Sequence, residues 1–153
     1  MEILKPLILI LDNDLEKYSD LVQKLKKRYT FKLFNNSKDA LKMLQISNVH
    51  FFVCAEKVEN KTGIDILANA IITKASALRI LISENPRAKS LEQINKMHVF
   101  SILKEDFSIN EFDNLIDKGF KLYFEGDAVQ NKMFRLQKTN EQLEFILTQK
   151  IAS

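Results

Sequence analysis

The chain has 153 residues, of which 46% are hydrophobic and 28% charged, the make-up of one ordinary globular domain with an appendage. Its 23 Lys and Arg against 20 Asp and Glu leave a net charge of +3, scattered along the sequence, so a nucleic-acid partner is not implied. Lys24, Lys26, Lys27 and Arg28 form a basic run that reads as the cation-favouring end of a helix.

Cys54 is the one cysteine, which excludes an internal disulfide and fits a reducing compartment. It lies in the apolar run Phe51-Phe52-Val53-Cys54 and reads as a small buried hydrophobe. Asp12 interrupts the first apolar stretch and no small-residue cleavage site follows, so no signal peptide is expected. No segment approaches the ~18 apolar residues of a membrane span. The expected location is the cytoplasm, with no membrane partner.

Pro6 introduces Leu7-Ile8-Leu9-Ile10-Leu11, an unbroken apolar run suited to a strand buried on both faces. Asp14 is the expected cap of a helix carrying Leu15, Tyr18, Leu21, Val22 and Leu25 at helical spacing. A short strand over Tyr29 to Phe34 leads to Ser37, the expected cap of a second helix with Ala40, Leu41 and Leu44. Val49 to Val53 reads as the third strand. The polar stretch Glu56 to Thr62 then leads to Gly63 and a helix with Ile64, Ile66, Leu67, Ala70 and Ile71.

Leu78 to Ile82 is the fourth strand and ends at Ser83. Asn85-Pro86 marks a turn, and Ala88, Leu91 and Ile94 define a fourth helix. Val99 to Leu103 is the fifth strand, and Ser108 caps a fifth helix with Phe112, Leu115 and Ile116. Five strands alternating with five helices predict an α/β domain with a parallel sheet, whose functional crevice lies beyond the carboxyl ends of the strands.

Those ends carry Asp12 and Asn13 after the first strand, Ala55 after the third, Ser83 after the fourth and Lys104 after the fifth. The segments Leu7 to Asp14, Gly63-Ile64-Asp65-Ile66-Leu67, Arg79-Ile80-Leu81-Ile82-Ser83 and Ser101-Ile102-Leu103-Lys104 carry a resemblance. Over roughly residues 5 to 122, the chain resembles the response-regulator receiver domains of two-component (phosphorelay) signalling. The resemblance implies a flavodoxin-like, doubly wound, five-stranded parallel sheet in the order 2-1-3-4-5.

It also implies a site. A receiver uses an Asp as phosphoryl acceptor, further carboxylates to hold Mg²⁺, and a hydroxyl and a Lys to sense the phosphate. The acceptor precedes the helix-opening Gly by eight positions, and counting back from Gly63 lands on Ala55. The second member of the acidic pair aligns with Asn13, a poor Mg²⁺ ligand. Loss or weakening of Mg²⁺ binding is therefore expected, with no other cofactor or metal and no enzymatic activity. Ser83 and Lys104 remain, and a salt bridge from Lys104 to Asp12 is expected.

Other departures agree. Glu105 follows Lys104 where receivers often have Pro, and the aromatic switch position is Ser101, with Phe100 on the opposite face of the strand. His50 and His98 sit at strand starts, away from the crevice, where structural or surface roles are expected. No glycine-rich phosphate loop or HExxH stands in the chain.

Beyond the fifth helix, Leu115, Leu122, Val129, Leu136 and Leu143 recur every seven residues, with Gly119 and Gly126 interrupting the partner series. From about Ala128, Val129, Met133, Leu136, Asn140, Leu143 and Leu147 read as the seam of a short two-stranded coiled coil in which Asn140 fixes register. An amphipathic helix folded back on its own domain produces the same stripe. The expected division is a receiver-like domain over 1–124 and a C-terminal helical extension over 125–153. In many receivers of this architecture such a helix leads into an output domain. The chain is expected to be either a piece of a longer protein or an adaptor acting by dimerisation and partner contact.

The function expected is a phosphorylation-independent interaction and dimerisation module, with signalling proteins as partners and a homodimer through the C-terminal helix. Two alternatives stand beside it. One is a true phospho-acceptor using Glu56 as a displaced carboxylate, and the other is a small-molecule sensor on the same fold.

Overall fold

Leu7–Leu11 forms strand β1 and is paired on both edges, so its backbone groups are satisfied while its side chains are covered on both faces. The computed structural model describes residues 5–74, 76–85 and 99–124 of the chain. The strands that follow are β2 (Thr30–Phe34), β3 (Phe51–Ala55), β4 (Lys57–Val58), β5 (Lys61–Thr62), β6 (Leu78–Ser83) and β7 (Ser101–Lys104). Five of them make one sheet in the order β2-β1-β3-β6-β7, all pairs parallel. With the β4–β5 hairpin set aside, this is the expected order 2-1-3-4-5.

The described helices are α1 (Ser19–Leu25), preceded by a 3-10 turn at Glu16–Tyr18, α2 (Ser37–Ile46), α3 (Gly63–Thr73) and α4 (Ile109–Tyr123). On one face Leu9, Leu11, Phe52, Cys54 and Leu81 pack with Ala40 and Leu44 of α2 and Ile66, Leu67 and Ala70 of α3. On the other, Ile8, Ile10, Phe51, Val53 and Ile80 pack with Leu21 and Leu25 of α1 and Phe112 and Ile116 of α4. The alternation along each strand thus feeds two cores. None of the described helices is long and apolar enough to cross a membrane.

Local chemistry differs from expectation in four places. The cap of α2 is Asn36, whose side chain accepts from the Asp39 amide at 2.9 Å; Ser37 is buried instead and serves the site. Asp14 does not cap α1 but accepts from the Glu16 amide at 3.2 Å, opening the 3-10 turn that sets α1 back. The polar stretch after β3 contains a hairpin rather than a plain loop. Gly119 is a packing residue, because a Cβ there would stand 2.9 Å from Phe51 Cε1 and 3.0 Å from Phe100 Cε2. The stripe Phe112, Ile116 and Gly119 is what α4 buries, and Leu122 stays exposed.

Ser108 caps α4 as expected, with a reciprocal capping box to Glu111. The expected helix around Ala88, Leu91 and Ile94, His98, and the heptad positions from Val129 to Leu147 lie outside the described residues.

Candidate functional site

Register alone brings the predicted positions to one edge. Leu11 is level with Cys54, Ala55 with Ile82, and Ser83 with Lys104, so Asp12, Ala55, Glu56, Ser83 and Lys104 line the carboxyl ends of neighbouring strands.

Asp12 is the acid at the floor of this edge, only 5% exposed. A buried carboxylate needs donors and a counter-charge, and it finds both in its own loop. Lys17 Nζ is 2.7 Å from Oδ2, the Tyr18 hydroxyl donates to the same oxygen at 2.6 Å, and the Asp14 amide donates to Oδ1 at 3.2 Å. Burial, and then the bond to Asp12, push the Tyr18 hydroxyl well above its usual range. Lys17 also lies 3.8 Å from Glu105, just past β7. Sequence reasoning placed Tyr18 in the core, where it is, and missed Lys17; a Lys five positions after a strand-end Asp was the available signal.

Lys104 does not make the expected bridge to Asp12. Its ammonium is 3.9 Å from Asp106 and its side chain is 65% exposed, because Lys17 reaches Asp12 from a shorter tether and takes the place. So exposed a pair contributes little.

Asn13 bonds to the hairpin. Its amide donates to the Lys57 carbonyl at 3.4 Å and accepts from the Glu59 amide at 3.0 Å, clipping the hairpin to the end of β1. Glu59, the first residue of the hairpin's two-residue turn, has φ 57°, a conformation that costs a non-glycine residue about 1–2 kcal/mol. Its carboxylate offsets this by accepting from the Ser37 amide at 2.9 Å, while Lys61 donates to the Ser37 hydroxyl at 2.8 Å. The hairpin is thus fastened at β1 and at the start of α2.

Ala55 ends β3 with a methyl group, 7% exposed. Its carbonyl faces Gly63, where an added Cβ would come within 2.2 Å, so only glycine lets α3 start this close to the strand. The next residue, Glu56, reaches across to β6. The Ser83 hydroxyl donates to Glu56 Oε2 at 3.2 Å, and the Glu84 amide lies 3.4 Å from the same oxygen. The Asn85 amide donates to Ser83 Oγ at 3.2 Å. Beneath this layer Cys54 is fully buried, and burial pushes its thiol up. His50 lies at the opposite end of the sheet, its Nδ1 accepting from the Leu7 amide at 2.9 Å and its ring edge-on to Phe120 and Phe124.

No family profile and no curated protein matches the chain. Solved structures do. The signal receiver domain of an HD domain-containing protein from Pseudomonas fluorescens Pf-5 superposes with a TM-score of 0.69 at 23% identity, over 76% of this chain and 88% of that one. A CheY-like response regulator receiver domain protein from Methanospirillum hungatei JF-1 gives 0.66 at 14% identity, over 92% and 98%. The chain has the fold of a receiver domain. A structure described as adenylate cyclase from Rhodopirellula baltica matches too, with a TM-score of 0.68 at 17% identity over 92% and 97%. The receiver fold is typical of two-component signalling.

Receiver chemistry calls for Mg²⁺ held by carboxylates, and the residues present do not fit the ion. Both oxygens of Asp12 are engaged within the chain, the Asn13 amide is spent on the hairpin, and Ala55 supplies no side-chain oxygen. Among the described residues, no group of three or more His, Cys, Asp or Glu is placed to hold a metal ion.

Proposed function

We propose that the chain is a phosphorylation-independent receiver-like module that acts by protein interaction and dimerisation in two-component signal transduction, without enzymatic activity of its own. The observation that carries this is the end of β3. A methyl group stands at Ala55, where the resemblance implies the acceptor carboxylate, and the carboxylate beside it is turned onto Ser83 at 3.2 Å. Glu56 thereby sets a fixed negative charge against the hydroxyl that in receivers senses phosphate. The binding surface is held in one state by the sequence itself and shifts only through a partner. Dimerisation is assigned to the extension over 125–153, through Val129, Met133, Leu136, Asn140, Leu143 and Leu147, the receiver-like unit being 1–124.

A second reading takes Glu56 as a displaced phosphoryl acceptor, favoured by its carboxylate lying across the strand ends beside Ser83. Acetyl phosphate with Mg²⁺, followed by intact-mass measurement of the full chain, separates the two. The proposed function expects no phosphoryl adduct; a hydroxylamine-labile adduct mapped to Glu56 supports the second reading and overturns the first. Light scattering on the full chain and on a chain ending at Phe124 tests dimerisation: a dimer that becomes a monomer on shortening is expected, and two monomers contradict it.

A further inference from the structure

Asp12 is nearly sealed from water, and a carboxylate in that position folds well only with a cation beside it. In this chain the cation is tethered. Lys17 follows Asp12 by five positions, and the 3-10 turn at Glu16–Tyr18 curls its side chain back over the strand end. The ammonium rests 2.7 Å from Asp12, 3.8 Å from Glu105 and 5.4 Å from the centre of the Tyr18 ring. Two carboxylates from the ends of β1 and β7 and one aromatic face therefore surround a single positive charge. A tethered cation reaches the carboxylate without the loss of translational freedom that a free ion would pay.

We infer that Lys17 is the resident cation of the crevice, neutralising Asp12 in place of a divalent ion and shutting such ions out. Asn13 completes the exclusion. A neutral amide committed to the Lys57 carbonyl and the Glu59 amide adds no charge to draw a dication in. Lys17 is a positioning residue: it fixes the Asp12 carboxylate at 2.7 Å and lies 3.8 Å from the partly exposed Glu105 past β7. This deepens the proposed function and rests on it, since a module that accepts no phosphoryl group has no need of the ion. Metal binding is nonetheless measured apart from phosphoryl transfer, so either statement fails alone.

The experiment is a Mn²⁺ titration followed by backbone-amide NMR on the full chain, as wild type, Asn13→Asp, and Asn13→Asp with Lys17→Met. Wild type is expected to show no selective broadening at Asp12, Asn13, Asp14 and Glu56. The double variant is expected to show saturable broadening centred there, at least about tenfold tighter than Asn13→Asp alone. If the double variant is unfolded without metal, the same competition predicts that Mg²⁺ restores its cooperative thermal transition. Saturable broadening at Asp12 in wild type, equal affinity in the two variants, or an unfolded double variant that Mg²⁺ does not rescue would each overturn the inference.

Discussion

Replacing Lys17 by Met removes the charge but keeps much of the stem, and so tests whether the Asp12 pair is an energetic unit. At 2.7 Å and an effective dielectric of about 20, the bare attraction is about 6 kcal/mol. Desolvation of both ions cancels most of that. The Lys17 side chain is 34% exposed and that of Asp12 only 7%, so the lysine keeps part of its hydration and the carboxylate keeps little. A net coupling of roughly 1–2 kcal/mol is expected, between the values for surface and buried pairs. Urea unfolding of wild type, Lys17→Met, Asp12→Asn and the double variant measures it. Lys17→Met should cost roughly 2 kcal/mol in the wild-type background and within about 0.5 kcal/mol of nothing beside Asp12→Asn. An equal cost in both backgrounds would rule the pair out as an energetic unit, because the lysine would then act independently of Asp12.

Gly63→Ala puts a Cβ 2.2 Å from a backbone oxygen, so α3 must move and the Gly63–Glu56 backbone bond of 2.7 Å must stretch; a loss of about 3 kcal/mol in urea is expected. Cys54 is buried and its thiol is pushed up, so thiol reagents should label it only in denaturant; stoichiometric labelling of folded protein would contradict its packing. At high pH the tyrosines decide. Tyr18 and Tyr29 are raised by burial and then by their bonds to Asp12 and Asp113, so the folded state holds these protons longer than the unfolded state. Their stabilisation is present below the ordinary tyrosine value of about 10 and is lost as pH rises above it. Arg79, lowered by burial to about 10, runs the other way and offsets part of the fall. Tyr29→Phe should flatten the loss of urea stability between about pH 10 and 12; an unchanged slope would show that Tyr29 does not contribute to it.

The sheet was legible because its signal is long and redundant. Leu7 to Leu11 and Phe51 to Cys54 are unbroken apolar runs, Leu78 to Ile82 is interrupted only by Arg79, and each is a central strand buried on both faces. Ser108, followed by Phe112, Leu115 and Ile116 at helical spacing, marked the start of α4, and the structure adds Glu111 as its reciprocal partner. The hairpin was hidden because strands of two residues carry no period, and its turn uses Glu59 at φ 57° where a glycine would have announced it.

Asn36 and Ser37 are both able to cap. What decided between them was Glu59, 22 residues away, and no local pattern reports such a partner. Lys17 was missed for a similar reason. Helical spacing assigned Tyr18 inward and left its neighbour to solvent, whereas the 3-10 turn brings both onto Asp12. Lys104 was expected there by resemblance, and the nearer lysine displaced it.

Whether the crevice engages a phosphoryl group through Mg²⁺ is read with beryllofluoride, which copies a phosphoryl group without requiring transfer. Backbone-amide spectra of the full chain are recorded with Mg²⁺ as beryllofluoride is added. The signals of Ser83, Glu84 and Lys104 are expected to stay where they are throughout. Saturable, Mg²⁺-dependent shifts at those residues would show that the crevice still takes up a phosphoryl group with the ion.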